Sequence, residues 1–419
     1  MSQVDFSKES VVVIGAGLAG CFVACELRRR GYGEVILVER LNAVCGVGPR
    51  VVSEIHAGGE YPFDRQSAID CLHGLAVLMR TLPAGAIAKP RSHLLIAKGT
   101  ASNEMDGVRY SQFLNGLRCE YESMVRQDPG LEQVICAVRD FWRRLDPDEY
   151  ADTVNVESGF ETPQRGVLPS DLALAVNSAL ESSGVIVRLG HEVLSAARRG
   201  VGEFRVQVQT GARISDIDCS QVVFANHVAG FGMATALADS DFRPPESIFI
   251  ALRMIAEVDY NVPRHFPSPT RLMLEGNHGA MDAPMGTGRA LVYHPPLSHV
   301  EIRELRAPFD IPQQWLERRA SPMFGDLERA DRIVARAAEI AYPYLRSASV
   351  REPRLAIAVN SVNNSRVRRN MGLMRPTRDC VSLAFTTKAT TTALNAARAA
   401  DVLVSDARTR VRPQRAPVC

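Results

Sequence analysis

The fold is decided by the stretch Val11-Val12-Val13-Ile14-Gly15-Ala16-Gly17-Leu18-Ala19-Gly20 near the start of the chain. Four β-branched residues in succession predict a short strand that is buried on both faces, as in a parallel sheet. Residues 18–27 are apolar almost all round, which predicts a helix packed on that sheet. The helix should end near Gly31, after three arginines whose charge suits the carbonyl end of the helix dipole.

The glycines between this strand and this helix form the pattern G-x-G-x-x-G. Gly15 would permit the tight turn, Gly17 would let the backbone approach a pyrophosphate, and Gly20 would let the helix pack closely on the strand. The free N–H groups at the helix start, around Leu18 and Ala19, favour a phosphate. The pattern therefore predicts a dinucleotide-binding unit.

A second predicted strand, Val35–Val38, ends at Glu39, which lies 19 residues after Gly20. At the tip of the strand this carboxylate can accept hydrogen bonds from a ribose, and Arg40 follows it directly. The motif by itself does not distinguish FAD from NAD. An NAD dehydrogenase would continue with further strand–helix units, whereas Leu41–Tyr61 is a long loop that could enclose a flavin.

On these residues the chain resembles the D-amino-acid-oxidase-like superfamily, which includes glycine oxidase, sarcosine oxidase and L-2-hydroxyglutarate dehydrogenase. The resemblance rests on three blocks: Val11–Arg40, Ser53–Tyr61, and a returning half of the FAD domain from Gly166–Leu172 through Gly184–Val193 to Gln221–Asn226. It implies an α/β fold, in which a Rossmann-like FAD-binding lobe carries a second, substrate lobe built on a mixed or antiparallel sheet.

Two segments depart from the family pattern. Val223–Gly230 reads Val-Phe-Ala-Asn-His-Val-Ala-Gly where the family usually has Val-Asn-Ala-Ala-Gly-Ala, and Leu383–Ala393 replaces a glycine-rich flavin loop. These differences concern the immediate surroundings of the flavin, and therefore the reaction, more than they concern the fold.

The implied lobes divide the chain into separated pieces. Residues 1–100, 166–240 and 351–419 would form the FAD lobe, residues 101–165 a helical insertion, and residues 241–350 the substrate lobe. Apolar periodicity with Pro and Gly boundaries predicts the individual elements. The predicted helices are about Arg65–Thr81, Arg109–Asp128, Phe324–Tyr342 and 388–405, and the predicted strands are Ile248–Val258, Arg271–Glu275, Ala290–Tyr293 and Val381–Phe385.

The motif and the resemblance together predict the residues that contact FAD. They are Gly15, Gly17, Leu18, Ala19, Gly20, Glu39, Arg40, Ser53, His56, Val193, Ala225, Thr386, Thr387 and Lys388. The last three precede a long alanine-rich helix, whose N–H groups and lysine ammonium could stabilise negative charge near N1 and the C2 carbonyl of a reduced flavin. The alternative is an ordinary threonine cap with an exposed lysine.

His56 is a catalytic candidate beside Lys388, because its loop would cross the face of the flavin. It could take the proton of a substrate hydroxyl or ammonium as hydride leaves for flavin N5. The alternatives are a histidine bonded only to the loop or to FAD, and covalent attachment of the flavin through His56 or Cys45. Ser53 and Tyr61 are expected to position the same loop.

The resemblance also implies a clamp for a substrate carboxylate, because family members use an Arg and a Tyr of the substrate sheet for this purpose. Arg289 and Tyr293 are four residues apart and would point to the same face of a strand, so they are predicted as catalytic-site residues. Arg366, Arg368 and Arg369 are competing candidates for the same role.

Composition limits the partners. The 49 Lys and Arg residues against 47 Asp and Glu leave a net charge of +2, which gives no electrostatic reason for a nucleic-acid partner. No apolar run is long enough for a membrane span, and nine cysteines without a CxxC pair predict reduced thiols in a cytoplasmic protein. His278, His294 and His299 lack the acid–His spacing of a metal site, so no metal is predicted. The oligomeric state is not predicted.

These observations favour an FAD-dependent oxidoreductase that oxidises a C–N or C–O bond next to a carboxylate by hydride transfer to flavin N5. Its substrate would be a small molecule that carries the carboxylate. Two alternatives stay open at this point. One is a flavin-dependent hydroxylase or desaturase in a biosynthetic pathway, and the other is a non-catalytic binding protein that uses this fold.

Overall fold

The computed structural model describes residues 6–45, 52–87, 90–98, 105–243, 245–260, 268–274, 280–286, 288–306, 309–360, 372–383 and 388–411. The strands are β1 (Ser10–Ile14), β2 (Glu34–Glu39), β3 (Glu54–Ile55), β4 (Arg91–Ala97), β5 (Arg143–Arg144), β6 (Val156–Gly166), β7 (Ile186–Leu189), β8 (Glu192–Gly200), β9 (Glu203–Thr210), β10 (Arg213–Cys219), β11 (Gln221–Phe224), β12 (Ser247–Asp259), β13 (Arg271–Leu274), β14 (Ala280–Gly286), β15 (Arg289–Tyr293), β16 (His299–Arg306), β17 (Ser349–Asn360), β18 (Met374–Thr377) and β19 (Cys380–Ser382). The helices are α1 (Leu18–Arg29), α2 (Arg65–Thr81), α3 (Gly107–Gln127), α4 (Leu131–Val134), α5 (Pro169–Ser183), α6 (Ala229–Ala236), α7 (Pro295–Ser298), α8 (Gln313–Ala320), α9 (Phe324–Ile340) and α10 (Ala389–Val411).

The first of the two large sheets has six strands in the order β18-β19-β11-β1-β2-β7. The pairings of β1 with β2 and β11, of β2 with β7, and of β11 with β19 are parallel. Val11 and Val13 of β1 pack in the core that contains α1 and α10, while Val12 and Ile14 pack on the opposite face. The strand is therefore buried on both faces, as its run of β-branched residues predicted.

The two faces of this sheet are covered differently. Helices α1, α2, α5 and α10 share the core on one face. The three-stranded antiparallel sheet β10-β9-β8 covers the other, and Phe204, Val206 and Val208 of its central strand pack against β1 and β2. The sequence analysis did not predict these three strands. Their outer members β8 and β10 are largely exposed, so they lack the clear apolar alternation that predicts a half-buried strand.

The second large sheet has ten strands in the order β16-β12-β15-β14-β13-β4-β6-β3, with β17 paired to β12 and β5 paired to β6. The pairing of β4 with β13 is parallel and the other described pairings are antiparallel, so the sheet is mixed, as predicted. Helix α9 covers one face with Ala330, Ile333, Val334 and Ala337, which repeat at the spacing of an amphipathic helix.

The sheet topology differs from the predicted division of the chain. Strand β4 was expected in the FAD lobe and β6 in a helical insertion, yet both are central strands of the large sheet. Strand β17, expected in the FAD lobe, pairs along β12. Strand β4 is buried on both faces, as suits a central strand. Leu94 and Ile96 pack in the core that contains α1 and α10, and Leu95 and Ala97 pack in the core under α9.

The individual elements agree more closely with the prediction. Helix α2 has the predicted bounds, and α3, α9, β12 and β15 differ from their predicted ranges by a few residues. The short strand β3 pairs with β6, which fixes the following loop at the boundary between the two large sheets. Among the described residues, none of the helices combines the length and the apolar character needed to cross a bilayer.

A buried histidine on β4 gives a prediction about the pH dependence of stability. His93 is 8% exposed, and burial followed by the charge of Arg271 lowers its pKa to about 4. In the unfolded chain this histidine binds a proton near pH 6.5, whereas in the folded protein it does so only near pH 4. The shift therefore leaves the free energy of unfolding unchanged above about pH 6.5 and lowers it as the pH falls from 6.5 towards 4. His93→Gln should flatten this acid limb by up to roughly 3 kcal/mol in the free energy of unfolding, measured by urea denaturation at several pH values.

The control for this measurement is His73→Gln, because the His73 side chain is 41% exposed. The control should leave the acid limb as steep as it is in the unmodified protein. An equal flattening in both variants would contradict burial as the cause.

Candidate active site and nucleotide cradle

The turn between β1 and α1 requires glycine at two positions. Gly15 has φ +98°, and a Cβ atom there would lie 2.8 Å from the Cα atom of Asn226. A Cβ atom on Gly20 would overlap the carbonyl oxygen of Gly15, so only glycine lets α1 approach the turn this closely. The Gly15 N–H donates to the Val38 carbonyl at 2.8 Å, which ties the turn to the end of β2.

The space in front of α1 is open where a phosphate would bind. A Cβ atom on Gly17 would meet nothing within 4 Å. Gly17 is also the N-cap of α1, no side chain caps the helix, and its first turn contains no acidic residue. The N–H groups of this turn, with the positive end of the helix dipole, are therefore available to an anion.

The carboxylate of Glu39 lies beside this turn. Its Oε2 accepts the Ala16 N–H at 2.8 Å and its Oε1 accepts the Leu41 N–H at 3.0 Å. Each carboxylate oxygen has a second lone pair, so Glu39 keeps acceptors for the hydroxyl groups of a ribose. Arg40, the next residue, is exposed. The residues present therefore fit the diphosphate and the ribose of a dinucleotide.

Two further predicted contacts lie around the cradle. The His191 N–H donates to the Glu39 carbonyl at 2.9 Å, which places the start of β8, and with it the half-buried Val193, beside the tip of β2. Ala225 is buried, donates its N–H to the Ile14 carbonyl at 2.8 Å, and lies behind Gly20. Both residues stay predicted FAD contacts.

The remaining predicted FAD contacts lie around β3 and before α10. Ser53, the residue before β3, is buried, and its hydroxyl lies 3.6 Å from the sulfur of Met281 on β14, so the chain entering β3 contacts the ten-stranded sheet. Thr386 and Thr387 lie outside the described residues. Lys388 is described, and it immediately precedes α10.

The structure brings His56 and Lys388 together through an acid. His56 Nδ1 lies 2.6 Å from Glu60 Oε1, and Lys388 Nζ lies 3.7 Å from Glu60 Oε2. The second acid, Glu54, has Oε2 3.8 Å from the same His56 nitrogen. Lys388 Nζ also lies over the ring of Tyr61, 3.5 Å from its centroid. We call His56, Glu54, Glu60 and Lys388 the charged cluster.

Burial and mutual charge shift the pKa values of the charged cluster in opposite directions. Burial, followed by the charge of Glu60, raises the pKa of Glu54 well above its usual value. Burial would raise that of Glu60 too, but His56 and Lys388 outweigh it and bring the Glu60 pKa to about 2. Burial lowers the pKa of Lys388 to about 8, against the opposing effect of the two acids. These shifts favour a negative charge on Glu60 over one on Glu54.

Neither acid of the cluster was predicted from the sequence. Glu60 was present in the quoted segment, four residues after His56, but a loop has no periodicity from which to predict that the two side chains meet. Glu54 is held from β6, where the Gln164 side-chain amide donates to its Oε1 at 3.1 Å. The loop itself is held by the Tyr110 hydroxyl of α3, which donates to the Gly59 carbonyl at 2.8 Å.

Within the described part of the chain, Glu54, His56 and Glu60 offer ligand atoms within 4.8 Å of one another, close enough to surround a metal ion. The ammonium of Lys388 supplies a positive charge beside Glu60. His294, one of the sequence candidates, accepts the Leu297 N–H at 3.4 Å and caps α7. His278 lies outside the described residues.

The predicted carboxylate clamp lies on β15. Arg289 forms an ion pair with Glu257, a buried acid of β12 that also pairs with Arg354. Tyr293 packs with Met281 and Leu291 on one face of the large sheet. Met281 contacts the loop of His56 through Ser53, so this face lies towards the charged cluster. The competing candidates Arg366, Arg368 and Arg369 lie outside the described residues.

A parallel sheet with an open glycine turn and a carboxylate at the tip of the next strand is typical of a dinucleotide-binding protein. The chain belongs to the DAO family of FAD dependent oxidoreductases, whose model matches residues 10–348. The cofactor is therefore FAD, which decides the question that the glycine motif left open. The protein is an enzyme, rather than a non-catalytic binding protein of this fold.

Solved structures share the whole architecture at low sequence identity. The chain is similar to L-amino acid deaminase from Proteus myxofaciens in complex with anthranilate (TM-score 0.62, 14% identity, 94% of this chain and 90% of that one). It is also similar to L-proline dehydrogenase from P. horikoshii (0.64, 13%, 95% and 93%) and to glycine oxidase from Geobacillus kaustophilus (0.59, 14%, 97% and 96%). At these identities the likeness shows the fold.

One curated relative matches part of the chain. It is a bifunctional tRNA 5-methylaminomethyl-2-thiouridine biosynthesis protein from Burkholderia pseudomallei, 28% identical over 220 residues. The match covers 51% of this chain and 30% of that protein, so the chain spans less than a third of the length of this relative.

Gly17→Ala tests the cradle. The protein has room for the added methyl group, so the free energy of unfolding without FAD should change by less than about 0.5 kcal/mol. The methyl group would occupy the place of the pyrophosphate, so FAD affinity should fall at least ~10-fold, measured by fluorescence titration of the FAD-free protein.

Gly116→Ala is the matched control, because it adds a methyl group in similarly open space on the exposed side of α3. It should leave FAD affinity unchanged. Unchanged affinity in Gly17→Ala as well would show that the pyrophosphate does not lie at this turn.

Proposed function

We propose that this enzyme oxidises a C–N or C–O bond next to a carboxylate in a small-molecule substrate. The observation that carries the proposal is the charged cluster, in which Lys388 at the start of α10 meets the acids and the histidine of β3 and the loop after it. FAD, when bound, supplies the hydride acceptor at its N5 atom. The residues of this chain have to bind the substrate, take its proton and exclude water.

His56 is the proposed proton acceptor. Its Nδ1 atom lies 2.6 Å from Glu60 Oε1, and its Nε2 atom is the proposed acceptor for the proton of a substrate hydroxyl or ammonium group.

Lys388 is the proposed cation at the flavin. Its side chain is 10% exposed, and the residue immediately precedes the positive end of α10. With Thr386 and Thr387, it is proposed to stabilise the negative charge that a flavin gains near N1 and the C2 carbonyl. Its contact with Glu60 then links the flavin side of the site to the proton acceptor.

Arg289 and Tyr293 are the proposed carboxylate clamp. Three guanidinium groups, those of Arg289, Arg351 and Arg354, approach the single buried carboxylate of Glu257. The Arg289 side chain is 39% exposed, so its guanidinium can also face a substrate carboxylate. The similar structures named for an amino acid deaminase, a proline dehydrogenase and a glycine oxidase support a substrate of this class.

A second candidate function is hydroxylation or desaturation in a biosynthetic pathway. It is favoured by the segment after β11, where His227 adopts φ +60° and burial lowers its pKa to about 4. The family resemblance led us to expect Ala-Gly in this segment, so a histidine there would change the surroundings of the flavin.

An anaerobic screen of amino, imino and hydroxy acids separates the two functions. At least one acid should bleach the visible absorbance of the bound flavin, and its methyl ester should bleach it far more slowly, because the ester cannot pair with a guanidinium. If no acid bleaches the flavin but a larger compound stimulates NAD(P)H consumption, the hydroxylase is the better assignment.

Arg289→Gln tests the clamp with an acid from that screen. Loss of a hydrogen bond to a charged group should raise the substrate Kd about 10- to 100-fold, measured by anaerobic titration, with a smaller effect on the rate of flavin reduction. Arg303→Gln on β16 is the control, because it too removes a half-exposed arginine that pairs with a glutamate. Equal effects in both variants would contradict a clamp at Arg289.

A further inference from the structure

The carboxyl end of strand β11 lies at the point where the strand order of the parallel sheet reverses. The order is β11-β1-β2, so the chain passes from β1 to β2 on one side of β1 and returns to β11 on the other. In open parallel sheets the crevice at such a point is where ligands bind. The glycine turn after β1 forms one wall of this crevice, and Asn226, two residues after the end of β11, lies on the other.

Asn226 packs directly against the glycine turn. A Cβ atom on Gly15 would lie 2.8 Å from the Cα atom of Asn226 and 2.9 Å from its Cβ atom. Strand β11 pairs with β1 on one side, and on the other side the Leu383 N–H donates to the Phe224 carbonyl of β11 at 2.8 Å. The place of Asn226 beside the turn is therefore fixed by both neighbouring strands.

The side-chain oxygen of Asn226 needs a hydrogen-bond donor. This oxygen is buried and accepts no hydrogen bond from any residue that the structure describes. Leaving a buried acceptor unpaired is costly, so the large majority of such groups in native proteins have a partner. Gly230 in the first turn of α6 makes room for the amide, because a Cβ atom there would overlap the oxygen. These contacts favour a donor that a ligand supplies.

The next residue, His227, keeps a strained backbone at the same place. Its φ is +60°, a conformation that glycine adopts easily and that costs other residues free energy. The family pattern has alanine and glycine where this chain has Asn226 and His227. The unpaired oxygen and the strain therefore lie in adjacent residues, at the point where the chain departs from that pattern. Strain of this kind is concentrated at binding and catalytic sites.

The cofactor contains a suitable donor. In FAD the diphosphate joins the ribose of adenosine to a ribityl chain that carries hydroxyl groups. Glu39, the acid expected to hold the ribose, ends β2 on one side of β1, so the ribityl chain is expected on the other side, towards β11. A diphosphate at neutral pH offers acceptors, whereas each ribityl hydroxyl can donate a hydrogen bond.

We propose that the side-chain oxygen of Asn226 accepts a hydrogen bond from a ribityl hydroxyl group of FAD. The glycine turn then binds the diphosphate, and Asn226 holds the flavin half of the cofactor in the crevice. This contact holds FAD whichever bond the enzyme oxidises, so it does not depend on the proposed substrate.

Asn226→Ala tests the contact through two ligands. The FAD Kd, measured by fluorescence titration of the FAD-free protein, should rise about 10-fold, because the ribityl hydroxyl loses its acceptor. The Kd of ADP, which has the diphosphate but no ribityl chain, should stay unchanged in calorimetric titration. Gly17→Ala should weaken both ligands, because they share the diphosphate.

Two results of these titrations would overturn the proposal. An unchanged FAD Kd in Asn226→Ala would show that the side chain does not contact the cofactor. An equal loss of FAD and ADP affinity would show that the amide contacts the diphosphate or the adenosine instead of the ribityl chain.

The stability of the FAD-free protein separates a binding role from a structural one. Alanine stands at this position in the family pattern, and its introduction removes an unpaired buried oxygen. The urea midpoint of FAD-free Asn226→Ala should therefore equal or exceed that of the unmodified protein. Saturating FAD should raise the midpoint less in the variant than in the unmodified protein. A lower midpoint without FAD would assign Asn226 a structural role and overturn the proposal.

Asn177→Ala is the matched control, because Asn177 is a half-buried asparagine in the middle of α5 in the same lobe. It should leave the Kd values of FAD and ADP unchanged. A rise in its FAD Kd equal to that of Asn226→Ala would show that the effect is not local to the crevice, and the proposal would fall.

Discussion

The structure depends on one close approach, that of the first helix to the turn that precedes it. Gly20 lies against the carbonyl of Gly15, and Gly15 is bonded to the end of β2. This contact aligns β1, α1 and β2 and leaves the first turn of α1 open beside Glu39. The parallel sheet and the nucleotide site therefore arise from the same few atoms, and a side chain at either glycine would disturb both.

The second constraint is the set of contacts that holds β3, and the residues on either side of it, against the ten-stranded sheet and α3. Strand β3 pairs with β6, the Tyr110 hydroxyl holds the Gly59 carbonyl, and Ser53 contacts Met281. Strand β3 and the loop after it are therefore fixed against the ten-stranded sheet. As a result His56 contacts the same acid, Glu60, as Lys388 at the start of α10, although His56 and Lys388 are far apart in the chain.

Local signals could be read from the sequence and distant pairings could not. The β1–α1–β2 unit and the bounds of α2 follow from consecutive residues, apolar periodicity and glycine positions. The membership of β4 and β6 in the large sheet depends on partners far along the chain, so the boundaries between predicted pieces differed from the sheet topology. Within the site, His56 and Lys388 were predicted separately. The acid that joins them, Glu60, could be recognised only once the loop was folded.

The central claim is that the open turn at Gly15–Gly20 binds FAD and that the rest of the enzyme is arranged around it. The most direct test is the visible spectrum of the purified protein, followed by identification of the flavin released on denaturation. We predict a yellow protein that releases FAD in an amount close to that of the chain. A colourless protein that takes up no FAD when it is supplied would contradict the account.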